Sequence, residues 1–367
     1  MENKHAMLET IKEEPALIKE IFENRKEYTK DFVEFFKKQP IKKMYFSGHG
    51  ASLNDGLMVR NFVEKILKVE AQITNPTTFN YREDFNVNGV YKPEEIVVFA
   101  PAQAGHTTGP IVTAKKAHEL GIKVITLTHD PESTLAENSD LVIDNHSPGE
   151  PAYVETRGHI ADVLIIYLCC LETALALGRI SENEYNEWCD AISQLPERCQ
   201  HHIDNTIAWY EKHKYLLTSS KVYIAVGFAE NAIVAKDGCL KIGEATANYS
   251  ISYELEEYMH GPMLSLQKDT LMFFIGPKAA ETPRMKHLLK WCRNLCDRCI
   301  LICNENDEDV DDISLTSDFL DKENLTVLEY IIPFQILAHL TAIDLGLSTM
   351  TSYHPGAGAQ LKIRYEG

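Results

Sequence analysis

Lys43-Met44-Tyr45-Phe46-Ser47-Gly48-His49-Gly50-Ala51-Ser52 marks a change of period in the chain. Upstream, residues 5 to 38 place apolar side chains at helical spacing (Ile18, Ile21, Phe22, Phe32, Phe35), which predicts amphipathic helices with a break near Pro15. From Lys43 to Gly48 the apolar residues run consecutively, as in a short buried strand. The small residues that follow form a turn into a helix through Val59, Phe62 and Ile66. The same unit recurs: strand 95–100, a turn from Pro101 to Gly109, helix 111–120 and strand 123–128. After helices around 159–180 and 183–217 it returns again, with strands at 221–227, 270–275 and 299–303, helices through Lys241 and over 283–295, and a last helix from about Pro333 to Leu345. Strands separated by crossover helices pair in parallel. The expected fold class is therefore α/β, two tandem doubly wound parallel sheets of flavodoxin-like, three-layer form, which is a repeat of architecture. The expected boundaries are helices over 1–40, a first domain over 41–215, a second over 216–346, and an irregular tail over 347–367 that closes the active site.

With 367 residues and 44% hydrophobic content the chain can bury two cores. A formal charge of −18 argues against nucleic acid and anionic membranes as partners. Several of the nine cysteines lie in apolar runs such as Leu168-Cys169-Cys170-Leu171, which reads as a reduced, cytoplasmic protein without disulfides. No uncharged stretch is long enough to span a bilayer, and the amino end has no signal-like apolar core. Cys292, Cys296, Cys299 and Cys303 are spaced to face a core rather than a zinc ion, and the acidic run 305–312 reads as a solvated loop without the glycine and closing glutamate of a calcium loop. His201 and His202 are assigned no role.

Three chemical groups stand close in sequence. Lys241 and Glu244 share one helix face, and His260 is aimed by the Gly261-Pro262 that follows it. A carboxylate to move a proton between sugar carbons, an ammonium to keep it ionised and an imidazole to open a ring together suit sugar isomerisation. The turns His49–Ser52 and Ala102–Thr108 each precede a helix at the carboxyl end of a strand, where free N–H groups attract an anion.

These residues resemble the tandem sugar isomerase (SIS) domain proteins, in particular the isomerase half of glucosamine-6-phosphate synthase and its deaminase and deglycase relatives. The likeness begins at Met7-Leu8-Glu9-Thr10-Ile11-Lys12-Glu13-Glu14-Pro15. It runs through both turns and the Leu240-Lys241-Ile242-Gly243-Glu244 helix to Glu257-Tyr258-Met259-His260-Gly261-Pro262. The resemblance implies that Glu244 shuttles a proton between C1 and C2, that Lys241 supports it, and that His260 opens the ring, lent by the partner in a homodimer. It implies a sugar phosphate or amino sugar phosphate held by Ser52, Gln103, Ala104, His106 and Thr107, a sugar lined by Val154 and Thr156, and Glu257 among the substrate contacts. It further implies an imine on a tail lysine, for which Lys362 is the match, although the surrounding residues lack the family pattern.

Other departures carry information. The family's Ser-x-Ser-Gly-x-Thr turn has alanine at both serine positions, Ala102 and Ala104, so two charge-assisted hydrogen bonds are missing, each worth roughly 1.5–3 kcal/mol. Nothing before residue 40 matches a glutaminase half. The expected activity is isomerisation of an amino sugar or ketosamine phosphate with amine release, independent of glutamine and of any metal or organic cofactor. A fructosyl or glucosyl amino acid 6-phosphate deglycase is the alternative, and a non-catalytic sugar-phosphate-binding module is the rival of another class. A dinucleotide-dependent oxidoreductase is disfavoured because no Gly-x-Gly-x-x-Gly with an acidic ribose partner occurs.

Overall fold

Parallel strands are buried on both faces, and the continuous apolar runs of this chain become the central strands of two such sheets. The computed structural model describes residues 3–366. The chain divides into two compact units, one comprising Leu17–Gly149, Arg157–Ser193 and the tail from His354, the other the residues up to Ala16, Glu150–Thr156 and Gln194–Tyr353.

The first unit holds a five-stranded sheet in the order β2-β1-β3-β4-β5, from β1 (Lys43–Ser47), β2 (Glu70–Thr74), β3 (Ile96–Pro101), β4 (Lys123–Thr128) and β5 (Leu141–Asp144). Every pairing is parallel. The helix Arg157–Ala176 packs on the helix Ala51–Phe62, with the Phe62 and Tyr167 rings 4.4 Å apart. The second unit repeats the topology. Its β6 (Val222–Gly227), β7 (Tyr249–Glu254), β8 (Leu271–Gly276), β9 (Cys299–Asn304) and β10 (Leu315–Ser317) lie in the order β10-β9-β8-β6-β7, again all parallel. Read from the opposite edge, this is the order of the first sheet. Strand order reverses between β1 and β3, and between β6 and β8, the positions where open sheets leave a crevice.

Some expectations change. Pro15 does not break the first helix, which runs from Ala6 to Glu23. Burial of Met7, Ile11, Ile18 and Ile21 outweighs the one backbone hydrogen bond that a proline removes. The last long helix starts at Thr326 and passes through Pro333 to Asp344. Two helices, Arg157–Ala176 and Thr326–Asp344, are long and apolar enough to cross a membrane, but 89% of each apolar window is buried inside the protein, which is why they are so apolar. The acidic run is a mostly exposed loop, as expected, but three of its carboxylates are paired. Asp307 lies 2.7 Å from Lys286, Asp309 pairs with Lys286 and Lys290 at 3.1 and 3.3 Å, and Asp311 pairs with Arg293 at 2.7 Å. His202 is buried, with Ser317 Oγ 2.7 Å from Nδ1 and Glu329 Oε1 3.1 Å from Nε2. Cys292, Cys296, Cys299 and Cys303 lie in the second unit's apolar core.

The helix Asn231–Thr246 lies against the helix Thr326–Asp344, and Gly238 permits the approach, since a Cβ there would stand 2.4 Å from the Phe334 ring. By contrast, a Cβ at Gly243 would meet only ordinary contacts at 3.8 Å. Alanine gains up to about 1 kcal/mol of helix propensity over glycine, whereas overpacking costs about 1–3 kcal/mol. Gly238→Ala is therefore expected to lower the thermal midpoint and Gly243→Ala to hold or raise it; equal effects in differential scanning calorimetry would refute the packing argument.

Candidate active site

In the second unit, Asp237, Lys241 and Glu244 follow one another at i, i+4 and i+7 along the helix Asn231–Thr246, so one face carries all three. Lys241 and Glu244 occupy the carboxyl-terminal half of this helix. Lys241 Nζ lies 2.6 Å from Asp237 Oδ2, and both side chains are about 1% exposed or less. Burial alone would push the lysine toward neutrality, but the charges of Asp237, Glu155 and Glu244 outweigh it and raise its pKa, so the ammonium persists. Asp237 was not anticipated, although its spacing four residues before Lys241 was the available signal.

Glu244 is half-buried, and burial raises its carboxyl pKa to about 7. The Lys241 charge pulls the other way and Asp237 adds to the rise. The expectation that the ammonium holds Glu244 ionised is thus only half the balance, because Asp237 already neutralises that ammonium. A carboxyl group titrating near neutrality beside a fixed charge pair suits proton transfer in both directions.

The 150–156 segment belongs to the same unit. Val154 and Thr156 are buried; the Thr156 hydroxyl donates to Glu150 at 2.7 Å, and its carbonyl accepts from Gln335 Nε2 at 3.2 Å. His260 stands apart on the segment after β7. It is exposed, its ring Nδ1 lies 2.7 Å from the Glu256 carbonyl, and Gly261 follows at φ 138°, a conformation that favours glycine. Glu257 is exposed on the short helix Leu255–Met259, which Glu254 caps by accepting from the Glu256 and Glu257 amides.

In the first unit, the two predicted turns leave β1 and β3, the strands that flank the order reversal. The His49 ring lies over Gly109, where a Cβ would stand 2.3 Å from Nε2, so the turns meet. Burial lowers the His49 pKa. Ser52 is half-buried in the first turn of its helix. The Gln103 carbonyl accepts from Thr128 Oγ1 at 2.6 Å, Ala104 is exposed, and Gly105 (φ 62°) lies against Ser133, where any side chain would clash. His106 turns toward Thr134 Oγ1 at 3.3 Å and Asp130 Oδ2 at 3.6 Å.

The tail is bound to this turn. Thr107 and Arg364 form an antiparallel bridge, Thr108 donates its amide to the Ile363 carbonyl at 3.1 Å, and Tyr365 donates to the His106 carbonyl at 2.9 Å. One amide that an anion at this helix start would use is therefore already taken. Lys362, two residues before Arg364, has φ 51° and an exposed side chain 3.8 Å from the Glu366 carboxylate. Among the described residues no group of three or more His, Cys, Asp or Glu side chains is arranged to hold a metal ion.

Comparison with known proteins agrees with this architecture. Residues 216–317 match the SIS domain family. The glutamine–fructose-6-phosphate aminotransferase (isomerizing) of Caldanaerobacter subterraneus subsp. tengcongensis is 23% identical over 355 residues, 94% of this chain and 57% of the relative, so the chain spans little more than half the length of that curated relative. The fold matches the C-terminal domain of glucosamine-fructose-6-phosphate aminotransferase from Francisella tularensis with a TM-score of 0.85, at 18% identity, covering 95% of this chain and 98% of the other. It also matches glucosamine-6-phosphate deaminase from Thermotoga maritima with a TM-score of 0.73, at 22% identity and 95% and 98% coverage. Residues 216–317 are thus a SIS domain, and the chain is homologous to the isomerase half of the glutamine–fructose-6-phosphate aminotransferases.

Proposed function

We propose that the chain is an isomerase-type enzyme acting on an amino sugar phosphate or a ketosamine phosphate, with Glu244 as the proton-transfer group. The observation that carries this reading is the half-buried Glu244 carboxyl, with a pKa of about 7, beside the buried Asp237–Lys241 pair. With an open-chain 2-amino aldose, Glu244 takes the C2 proton, giving an enolamine, and returns a proton to C1. The resulting C2 imine adds water and expels ammonia, leaving a ketose. With a ketosamine the proton leaves C1 and returns at C2, and hydrolysis of the C1 imine gives an aldose and the free amine. In both cases the amine nitrogen of the substrate holds the electrons of the enolamine. The exposure of Lys362 and its ion pair with Glu366 favour the second reading, the deglycase, whose substrate supplies its own amine and needs no lysine imine.

The enzyme is proposed to work as a homodimer in which each chain lends His260 to its partner. Exposed His260 is accompanied by exposed apolar side chains, Tyr249 (85%), Ile251 (46%) and Leu264 (83%), which a second copy would cover.

Activity assays on a panel of amino sugar phosphates and glycated amino acid phosphates, following amine release, test the reading. Because the acting form of Glu244 is ionised, kcat/KM is expected to rise with pH through about 7 and then level. Glu244→Gln should lose about 10²–10⁴-fold in kcat and with it the acid limb. Asp237→Asn removes a charge that raises the Glu244 pKa, so its acid limb should move to lower pH; an unmoved limb would show that another group titrates.

Mixing Glu244→Gln with His260→Ala chains restores one intact site in each mixed dimer if the histidine is lent, which predicts recovery of about a quarter of wild-type activity. Recovery of none would place His260 in its own chain's site.

A further inference from the structure

Glu155 takes no part in the reaction drawn above. It stands between Val154 and Thr156, which are buried, and is itself half-buried. The segment around it is fixed on both sides. Tyr153 donates its amide to the Thr349 carbonyl at 2.8 Å, the Thr156 amide and hydroxyl donate to the Glu150 carboxylate at 2.8 and 2.7 Å, and Gln335 Nε2 donates to the Thr156 carbonyl at 3.2 Å. Gln335 adjoins Phe334, the ring that lies over Gly238, and Gly238 follows Asp237 in the helix Asn231–Thr246. One continuous set of contacts within the second unit thus carries Glu155 to the Asp237 end of the candidate site.

Position along the helix decides what Glu155 can meet. The Lys241 ammonium reaches back one turn to Asp237, at 2.6 Å, whereas Glu244 lies almost one turn ahead of Lys241. At roughly 1.5 Å per residue, Asp237 and Glu244 are about 10 Å apart along the axis. The Glu155 charge acts on that ammonium more strongly than the Glu244 charge does, as fits a place at the Asp237 end, away from the carbons that Glu244 deprotonates. A group that meets Glu155 is therefore several bonds removed from C1 and C2. Charge decides which group it is. Asp237, Glu155 and Glu244 stand around the one Lys241 ammonium, and Asp237 already pairs with it. A further carboxylate there repels phosphates and carboxylates and attracts a cation. In a ketosamine phosphate the nitrogen and its substituent are the only part that can carry one.

We propose that Glu155 determines specificity at the Glu244 site: its carboxylate receives a second ammonium, carried by the amine portion of a ketosamine phosphate a few bonds from the reacting nitrogen. The preferred substrates are then conjugates of a diamine, or of another amine that keeps a positive charge, and conjugates with a carboxylate near the nitrogen are disfavoured. The inference rests on the reading of Glu244 as the proton-transfer group and adds no chemical step to it.

The test compares the fructosamine 6-phosphates of ethylenediamine, propylamine and β-alanine, whose amine portions are similar in size and end in a cation, a methyl group and an anion. Release of the aldose phosphate by the full chain gives kcat/KM for each. Wild type is expected to prefer the ethylenediamine conjugate to the propylamine conjugate by about tenfold or more and to use the β-alanine conjugate least, with the preference shrinking as salt is added. Glu155→Gln, which keeps size and shape, should bring the three values within about threefold, and Glu155→Lys should move the β-alanine conjugate ahead, with thermal melts to check that both variants fold. Equal values for the cationic and neutral conjugates in wild type would overturn the proposal. So would one common loss factor for all three in Glu155→Gln, which marks a structural role. If none of the three is turned over, the same ranking is read as calorimetric Kd, and failure to bind any of them overturns the proposal. Unimpaired turnover in Glu244→Gln would sink the catalytic reading, while the ranking still decides on Glu155.

Discussion

A parallel sheet has to be covered on both faces, and most of what is particular to this protein follows from meeting that demand twice. The central strands β1, β3, β4, β6, β8 and β9 are almost wholly buried, so helices as apolar as Arg157–Ala176 and Thr326–Asp344 are required above them. Gly238 is where this covering becomes tight enough to dictate a residue. With both faces occupied, only the strand ends are left for chemistry, and the polar turns lie there.

Burial also sets the electrostatics of the candidate site. A charge removed from water is tolerated only with a partner, and Asp237 is that partner for Lys241. Once the pair is internally neutral, the ammonium has less to offer Glu244, and desolvation raises the glutamate pKa to about 7. A single packing decision, placing three charged side chains on one buried helix face, thus converts an ordinary carboxylate into a group that can both accept and return a proton at neutral pH.

The chain also partners several of its donor groups at strand and helix ends with groups of its own. Ile363 caps the amide of Thr108, and Asp307 and Asp309 occupy the lysines of the helix Thr282–Arg293. These contacts are polar, and the Lys286–Asp307 pair is largely buried whereas Lys290 stands in solvent. The two alanines at 102 and 104 fit the same picture of a turn that relies on backbone amides more than on hydroxyls.

The amino-acid sequence by itself determined the α/β class, the tandem repeat and the six central strands, because strands buried on both faces are written as unbroken apolar runs. It also offered Lys241, Glu244 and His260 as candidates through their spacing. The four strands it concealed, β2, β5, β7 and β10, are the four sheet edges, where one side meets solvent and the apolar run is diluted. Tertiary structure alone decided the rest: that Pro15 stays helical, that the acidic run docks on a basic helix, that the tail bridges Thr107, and that Asp237 neutralises Lys241. Each of these depends on what lies across from a residue in space, and on how much water remains there, neither of which local periodicity encodes.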